Sequence, residues 1–197
     1  MENMQIILKM TPVDWLIFWM GIGSYTPLII GVIKQKHDSS QTFTTWGLYF
    51  LLDLITMLSS TKIDGSYVIL LSFAIGSFIM SAILLHQRRI GWTWLETTVI
   101  LLVVLCIGAW YISGPYWALI FGITSEVIVG IHLIIKTYIN PTVRYNLAGY
   151  IGFLTVSIIA FLTAKDLSIE QIGYPISESV LSFITLIPLV RKWRDKL

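Results

Sequence analysis

Three acidic residues stand inside stretches that are otherwise apolar. Asp53 lies in LYFLLDLITM, Glu126 in FGITSEVIVG and Glu178 in YPISESVLSF. On insertion scales a charge at the centre of a membrane span costs about 2.5–3.5 kcal/mol, so such groups are candidates for function. A carboxyl group in a low-dielectric cavity can hold a cationic or polyhydroxylated solute, or carry a proton. The same acids, protonated and bonded to a neighbouring hydroxyl, would serve packing alone. For Asp53 the near hydroxyls in sequence are Tyr49 and Thr56.

Glu126 has the most telling neighbours. Residues four apart share a helix face, and here they are Gly122 and Gly130. Small residues let a second backbone come close, which turns the carboxyl toward protein or a cavity. Glu178 has Tyr174 and Ser182 on its stripe, and Asp53 has Trp46, Tyr49 and Met57. In the first apolar run Ser24 and Tyr25 are followed by Pro27 and Gly31. A mid-span proline frees a backbone carbonyl and offers a bending point, so Pro27, Gly31 and Gly130 are hinge or gating candidates. Glu126, Asp53, Glu178, Tyr25 and Ser24 are the candidates for solute binding or coupling. Asp14 and Glu96 lie near run ends and read as anchors or caps. His132 is six residues from Glu126, on a different face, and reads as a packing or interfacial residue, as does His86.

These residues need elements to carry them. Of 197 residues, 56% are hydrophobic and 12% charged, against roughly 25% charged in soluble domains. The mean hydropathy is +0.80. A net charge of +2 gives no reason to expect nucleic acid. The single cysteine, Cys106, excludes an intramolecular disulfide framework and a Cys-rich metal site. A bilayer core about 30 Å thick needs roughly 20 apolar residues per helix. Seven runs fit, at about 13–33, 43–60, 67–85, 92–112, 116–135, 145–164 and 172–190. The first is too long for a signal-peptide core and reads as a retained span.

Seven crossings sort the basic residues. Lys9, Lys62 and Lys165 fall on one side. Lys34, Lys36, Arg88, Arg89, Lys136, Arg144, Arg191, Lys192, Arg194 and Lys196 fall on the other. Basic loops mark the cytoplasmic face, so the N-terminus is expected outside and the C-terminus inside. Trp15, Trp110 and Trp117 come near outer ends of spans and Trp46, Trp92, Trp94 and Trp193 near inner ends. They read as interfacial anchors. Trp19, one turn deeper, is the exception.

A shift of about 102 positions aligns the first three runs with the last three without a gap. Gly47 meets Gly149, Thr61 and Asp64 meet Thr163 and Asp166, and Ser66, Ser77 and Arg89 meet Ser168, Ser179 and Arg191. Two triplets and an odd fourth span make a 3+1+3 plan. Residues 1–91 form the first bundle, 92–114 the linker helix and 115–197 the second bundle. Three spans reverse orientation, so one extra helix returns the second triplet to the orientation of the first. Parallel repeats of this kind build transporters with a site near the midplane. The acids are not duplicated: Asp53 aligns with Thr155, Glu126 with Ser24 and Glu178 with Gly76.

The stretch GSYTPLIIG at 23–31, the basic loop from Lys34, and the hydroxyl-rich approach to Trp46-Gly47 resemble the PQ-loop family, which includes the SWEET facilitators. The stretch from Lys136 to Gly149 resembles the same pattern, and with the 3+1+3 plan the likeness covers nearly the whole chain. It looks closest to a bacterial branch. The resemblance implies an all-α, seven-helix membrane protein of the cytoplasmic membrane. Relatives in that superfamily move sugars, amino acids or vitamins, or bind a peptide signal. Here Leu28 replaces the glutamine after the proline, Val129-Gly130 replaces the second proline–glutamine pair, and the third and seventh runs lack asparagine. Sugar specificity is therefore not carried over.

The reading is a facilitator or proton-coupled transporter of a small polar solute, with no cofactor and no metal. Its partners are the lipid bilayer and the solute, with homo-oligomer formation left open. The alternative is a receptor or sensor that binds in the cavity without transport. An enzyme is not expected: there is no nucleophile–base motif, phosphate loop or His-Glu-x-x-His spacing. A retinal photoreceptor is disfavoured because the seventh run has no lysine for a Schiff base.

Overall fold

The computed structural model describes residues 10–34, 42–92, 94–139 and 143–194. Among them are seven helices: α1 (Pro12–Lys34), α2 (Phe43–Lys62), α3 (Tyr67–His86), α4 (Trp94–Ser113), α5 (Pro115–Ile139), α6 (Val143–Leu162) and α7 (Ile169–Arg194). These match the expected runs to within a few residues. Lys9, Lys36 and Lys196 lie outside the described residues, as do the side chains of His132, Lys136, Arg144, Lys192, Trp193 and Arg194.

The helix ends follow local chemistry. Before α1, the Thr11 N–H and hydroxyl both donate to Asp14 Oδ2 at 2.8 Å, and the Asp14 N–H donates to Thr11 Oγ1 at 3.2 Å. This is a reciprocal cap, the role expected for Asp14. Thr42 caps α2 by accepting from the Thr45 N–H at 3.2 Å. α4 ends at Gly114, whose φ of 90° is the left-handed geometry that favours glycine. Pro115 then opens α5, where its missing N–H does no harm.

α1, α3, α4 and α7 contain segments long and apolar enough to cross a membrane: Pro12–Lys34, Tyr67–His86, Glu96–Ser113 and Ile169–Arg191. α5 and α6 carry the shorter apolar stretches Pro115–Ile131 and Leu147–Leu162. α2 is as long as α3 but turns Asp53, Thr56, Ser59 and Ser60 into the protein interior, which dilutes its apolar character. The outer surface is greasy. On α4 Leu101, Val104, Leu105, Ile107 and Ile112 are exposed, and Tyr111 is 92% exposed. A soluble monomer rarely shows such a contiguous apolar face, and the apolar helices are those of a multi-pass membrane protein.

The main packing partners define the layout. α3 packs against both α1 and α2, and α7 packs against both α5 and α6. α1 packs on α6, α2 packs on α5, and α4 lies against α5 and α2. Glycines allow the closest of these approaches. A Cβ at Gly122 would strike the Thr56 hydroxyl of α2, and one at Gly152 would come 3.2 Å from Ser24 Cα of α1. One core draws buried side chains from α1, α2, α3, α6 and α7. A smaller one joins α2, α4 and α5 through Leu48, Leu52, Val99, Val103, Cys106 and Val129.

Candidate functional site

Near the middle of the helices is a cavity of about 80 Å³. α2 contributes Trp46, Tyr49 and Asp53; α5 contributes Glu126 and Gly130; α7 contributes Tyr174, Glu178 and Ser182. Tyr25 of α1, Phe73 and Ser77 of α3, and Tyr150 and Phe153 of α6 complete much of the wall. The three membrane acids proposed from sequence, with Tyr25 and Gly130, thus converge on one space.

The acids are held differently. Ser77 donates to Asp53 Oδ2 at 2.9 Å and shares a 3.0 Å hydrogen bond with the Tyr25 hydroxyl. The Tyr174 hydroxyl donates to Asp53 Oδ1 over a longer 3.4 Å. Glu178 Oε1 accepts from Ser182 at 2.8 Å, one turn along α7. Glu126 is 7% exposed, and its Oε1 is buried without a donor.

Aromatic rings enclose this polar patch. The Tyr25 ring meets Phe153 at 4.9 Å between centroids, and Trp46 and Phe73 at 5.9 Å each. Phe73 also meets Phe153 at 5.1 Å and Tyr174 at 6.0 Å. Gly76 makes room for Tyr25, since a Cβ there would overlap the near side of the Tyr25 ring.

The remaining sequence candidates sit elsewhere. Ser24 is not among the residues lining the cavity. Its hydroxyl donates to Met20 O at 2.8 Å, and it packs under Gly152 in the α1–α6 contact. Gly31 is buried and Pro27 half-buried further along α1, and neither lines the cavity. Gly130 does line it, with Leu181 of α7 against its Cα. Trp46, expected as an interfacial anchor, is instead 8% exposed and forms part of the wall. Its position near a helix end misled, because α2 leans that end onto Tyr25. Glu96, expected to reach headgroups, is 1% exposed and accepts from the Thr45 hydroxyl at 2.7 Å. Thr56 does not serve Asp53; it donates to Leu52 O in its own helix. Sequence reading missed Ser77 as the partner of Asp53, and Phe73, Tyr150 and Phe153 as wall residues. Two serines one turn apart, Ser77 and Ser81, on the Phe73 face of the apolar α3 were the available signal.

A second cavity of about 320 Å³ lies at the end where α1 begins and the α2–α3 and α6–α7 connections meet. Lys165 and Asp64 form a 3.0 Å ion pair there. The Ser66 N–H donates to Glu170 O at 3.0 Å, and Gln171 Nε2 donates to Asp64 O. Asp166 accepts from the Ser168 N–H at 2.8 Å. That bond, with one from the Ser168 hydroxyl, holds the exposed Asp166 carboxyl below the usual range. Among the described residues no three His, Cys, Asp or Glu converge to ligate a metal ion. No family model, curated protein or solved structure matches the chain.

Proposed function

We propose that the chain is a seven-span transporter, facilitative or proton-coupled, for a small polar solute. Two parallel three-helix bundles rock around the central cavity, with α4 as the linker between them. The single observation that carries this reading is that Asp53, on α2, and Glu126 and Glu178, on α5 and α7, meet over one cavity at mid-height. The packing pattern supports the 3+1+3 plan. Under the repeat, α1–α3 and α2–α3 correspond to α5–α7 and α6–α7, and the α1–α6 contact corresponds to α5–α2. A site between parallel repeats is where such transporters bind their solute. The SWEET-like resemblance, the bacterial cytoplasmic membrane, the outer N-terminus and the cytoplasmic C-terminus belong to the same proposal. The distribution of Lys and Arg supports that orientation.

The test is flux into proteoliposomes over a panel of sugars, amino acids, vitamins and organic cations. A solute accumulates with wild-type protein, and its flux falls at least about tenfold with Glu126→Gln, a loss of about 1.4 kcal/mol in the limiting step. In a proton-coupled cycle the residual flux also stops responding to an imposed pH gradient. Flux unchanged by Glu126→Gln would remove Glu126 from the mechanism. The second reading, a receptor, is favoured by the small size of the cavity. It predicts ligand-induced thermal stabilisation with no solute crossing the vesicle.

A further inference from the structure

We infer, on the reading of the central cavity as a solute site, that its occupant is a small organic cation with a substituted ammonium group. Charge comes first. Three carboxyl groups face the space, and among the described residues lining it there is no Lys, Arg or His. An anionic solute would meet three carboxyl groups and no basic side chain among the described lining residues, and the carboxylate of an amino acid would meet the same obstacle.

Unmet bonding comes second. Glu126 is more than nine-tenths buried, yet its Oε1 has no donor. A buried acceptor without a partner costs about 1–3 kcal/mol, and an ammonium N–H or the positive methyl shell of a quaternary ammonium relieves it. The polyhydroxylated alternative is less well served. Of the four tyrosines in the wall, Tyr25 and Tyr174 are already engaged with Ser77 and Asp53, which leaves Tyr49 and Tyr150 to serve hydroxyls.

The walls come third. Tyr25, Trp46, Phe73 and Phe153 stand edge-on or tilted to one another at 4.9–5.9 Å between centroids. Ring faces within about 6 Å attract cations, Trp most strongly. The described acids do not form a metal-ligating set, so an organic rather than a metallic cation fits. The volume of about 80 Å³ is well below the 300–1,000 Å³ of sites for drug-sized ligands, and so selects a compact head group.

The experiment compares three probes of nearly equal shape on purified protein in nanodiscs: tetramethylammonium, tert-butylammonium and neutral tert-butanol. Binding is read by calorimetry and thermal shift, with ionic strength held constant by sodium chloride. The two cations bind at least about tenfold more tightly than tert-butanol. Glu126→Gln and, separately, Phe153→Leu each weaken the cations at least about fivefold and leave tert-butanol unchanged. Two variants on different helices guard against one that fails to fold. Equal binding of all three probes, or preference for tert-butanol, overturns the cation assignment. A parallel flux assay separates this failure from that of the transport reading. Flux of a neutral sugar without cation binding sinks only the cation assignment. Cation binding with no flux of any solute sinks only transport.

Discussion

Ser77 links two helices at the cavity by receiving Tyr25 and donating to Asp53. Ser77→Ala leaves the Tyr25 hydroxyl without its partner and Asp53 with only the longer bond from Tyr174, in a buried setting. It lowers stability by about 0.5–2 kcal/mol, the range for hydrogen bonds between membrane helices. Thermal unfolding in micelles measures this, with Thr155→Ala as the control, because Thr155 is exposed and bonds only within its helix. Asp166 supports a pH prediction. Its folded carboxyl titrates below the usual value, so its contribution is present at neutral pH and fades as pH falls through that lowered value. The protection of the Ser168 amide, its exchange relative to that of an unstructured chain at the same pH, is therefore unchanged down to about pH 4, the ordinary Asp value, and falls only below it. At this scale the three acids were legible as rare charges in apolar runs. So was Ser182, one turn from Glu178 on the same helix; the partners of Asp53 were not, because Ser77 and Tyr174 reach it from other helices, and single-helix spacing could offer only Tyr49 and Thr56.

The helices themselves were largely written in the apolar runs, whose lengths and Gly-Pro or Thr punctuation give the observed ends. What the runs do not encode is which helix touches which. α3 reads as the most uniformly apolar run, yet it carries Phe73 and Ser77 to the cavity and sets Gly76 against the Tyr25 ring. Gly76→Ala forces the rigid root of the Tyr25 ring to move. It costs about 1–3 kcal/mol, as overpacking does, and reduces binding of any cavity ligand. Gly23→Ala on α1, where a Cβ meets open space, is the matched substitution and stays within about 0.5 kcal/mol. Calorimetric or denaturant unfolding of both variants gives the comparison.

For the whole molecule, composition pointed to a bundle of membrane helices; the described residues form seven helices, four of which hold segments long and apolar enough to cross a membrane. Trp46 was misread as an interfacial anchor because nearness to a helix end does not say which neighbours the ring meets; here it packs against Tyr25. The ion pair of Lys165 and Asp64 is exposed at 68% and 82%, and such pairs are worth about 0–1 kcal/mol. Lys165→Ala therefore leaves the unfolding midpoint nearly unchanged. The expected orientation is checked by single cysteines at Lys62 and Arg88 in a Cys106→Ser background. A membrane-impermeant maleimide applied to intact cells labels the first and spares the second.

The backbone bond from Ser66 to Glu170 has a mechanical corollary. It fastens α3 to α7 at their beginnings, with Gln171 and Lys165 as further stitches on Asp64. Two rods tied at one tip behave as tongs: the knotted tip is the fulcrum and the free tips sweep the wider arc. Spin labels at Lys62 and Leu167, beside the knot, should report a narrow distance distribution. Labels at His86 and Val190, at the far tips, should report a broad one that sharpens when the cavity fills.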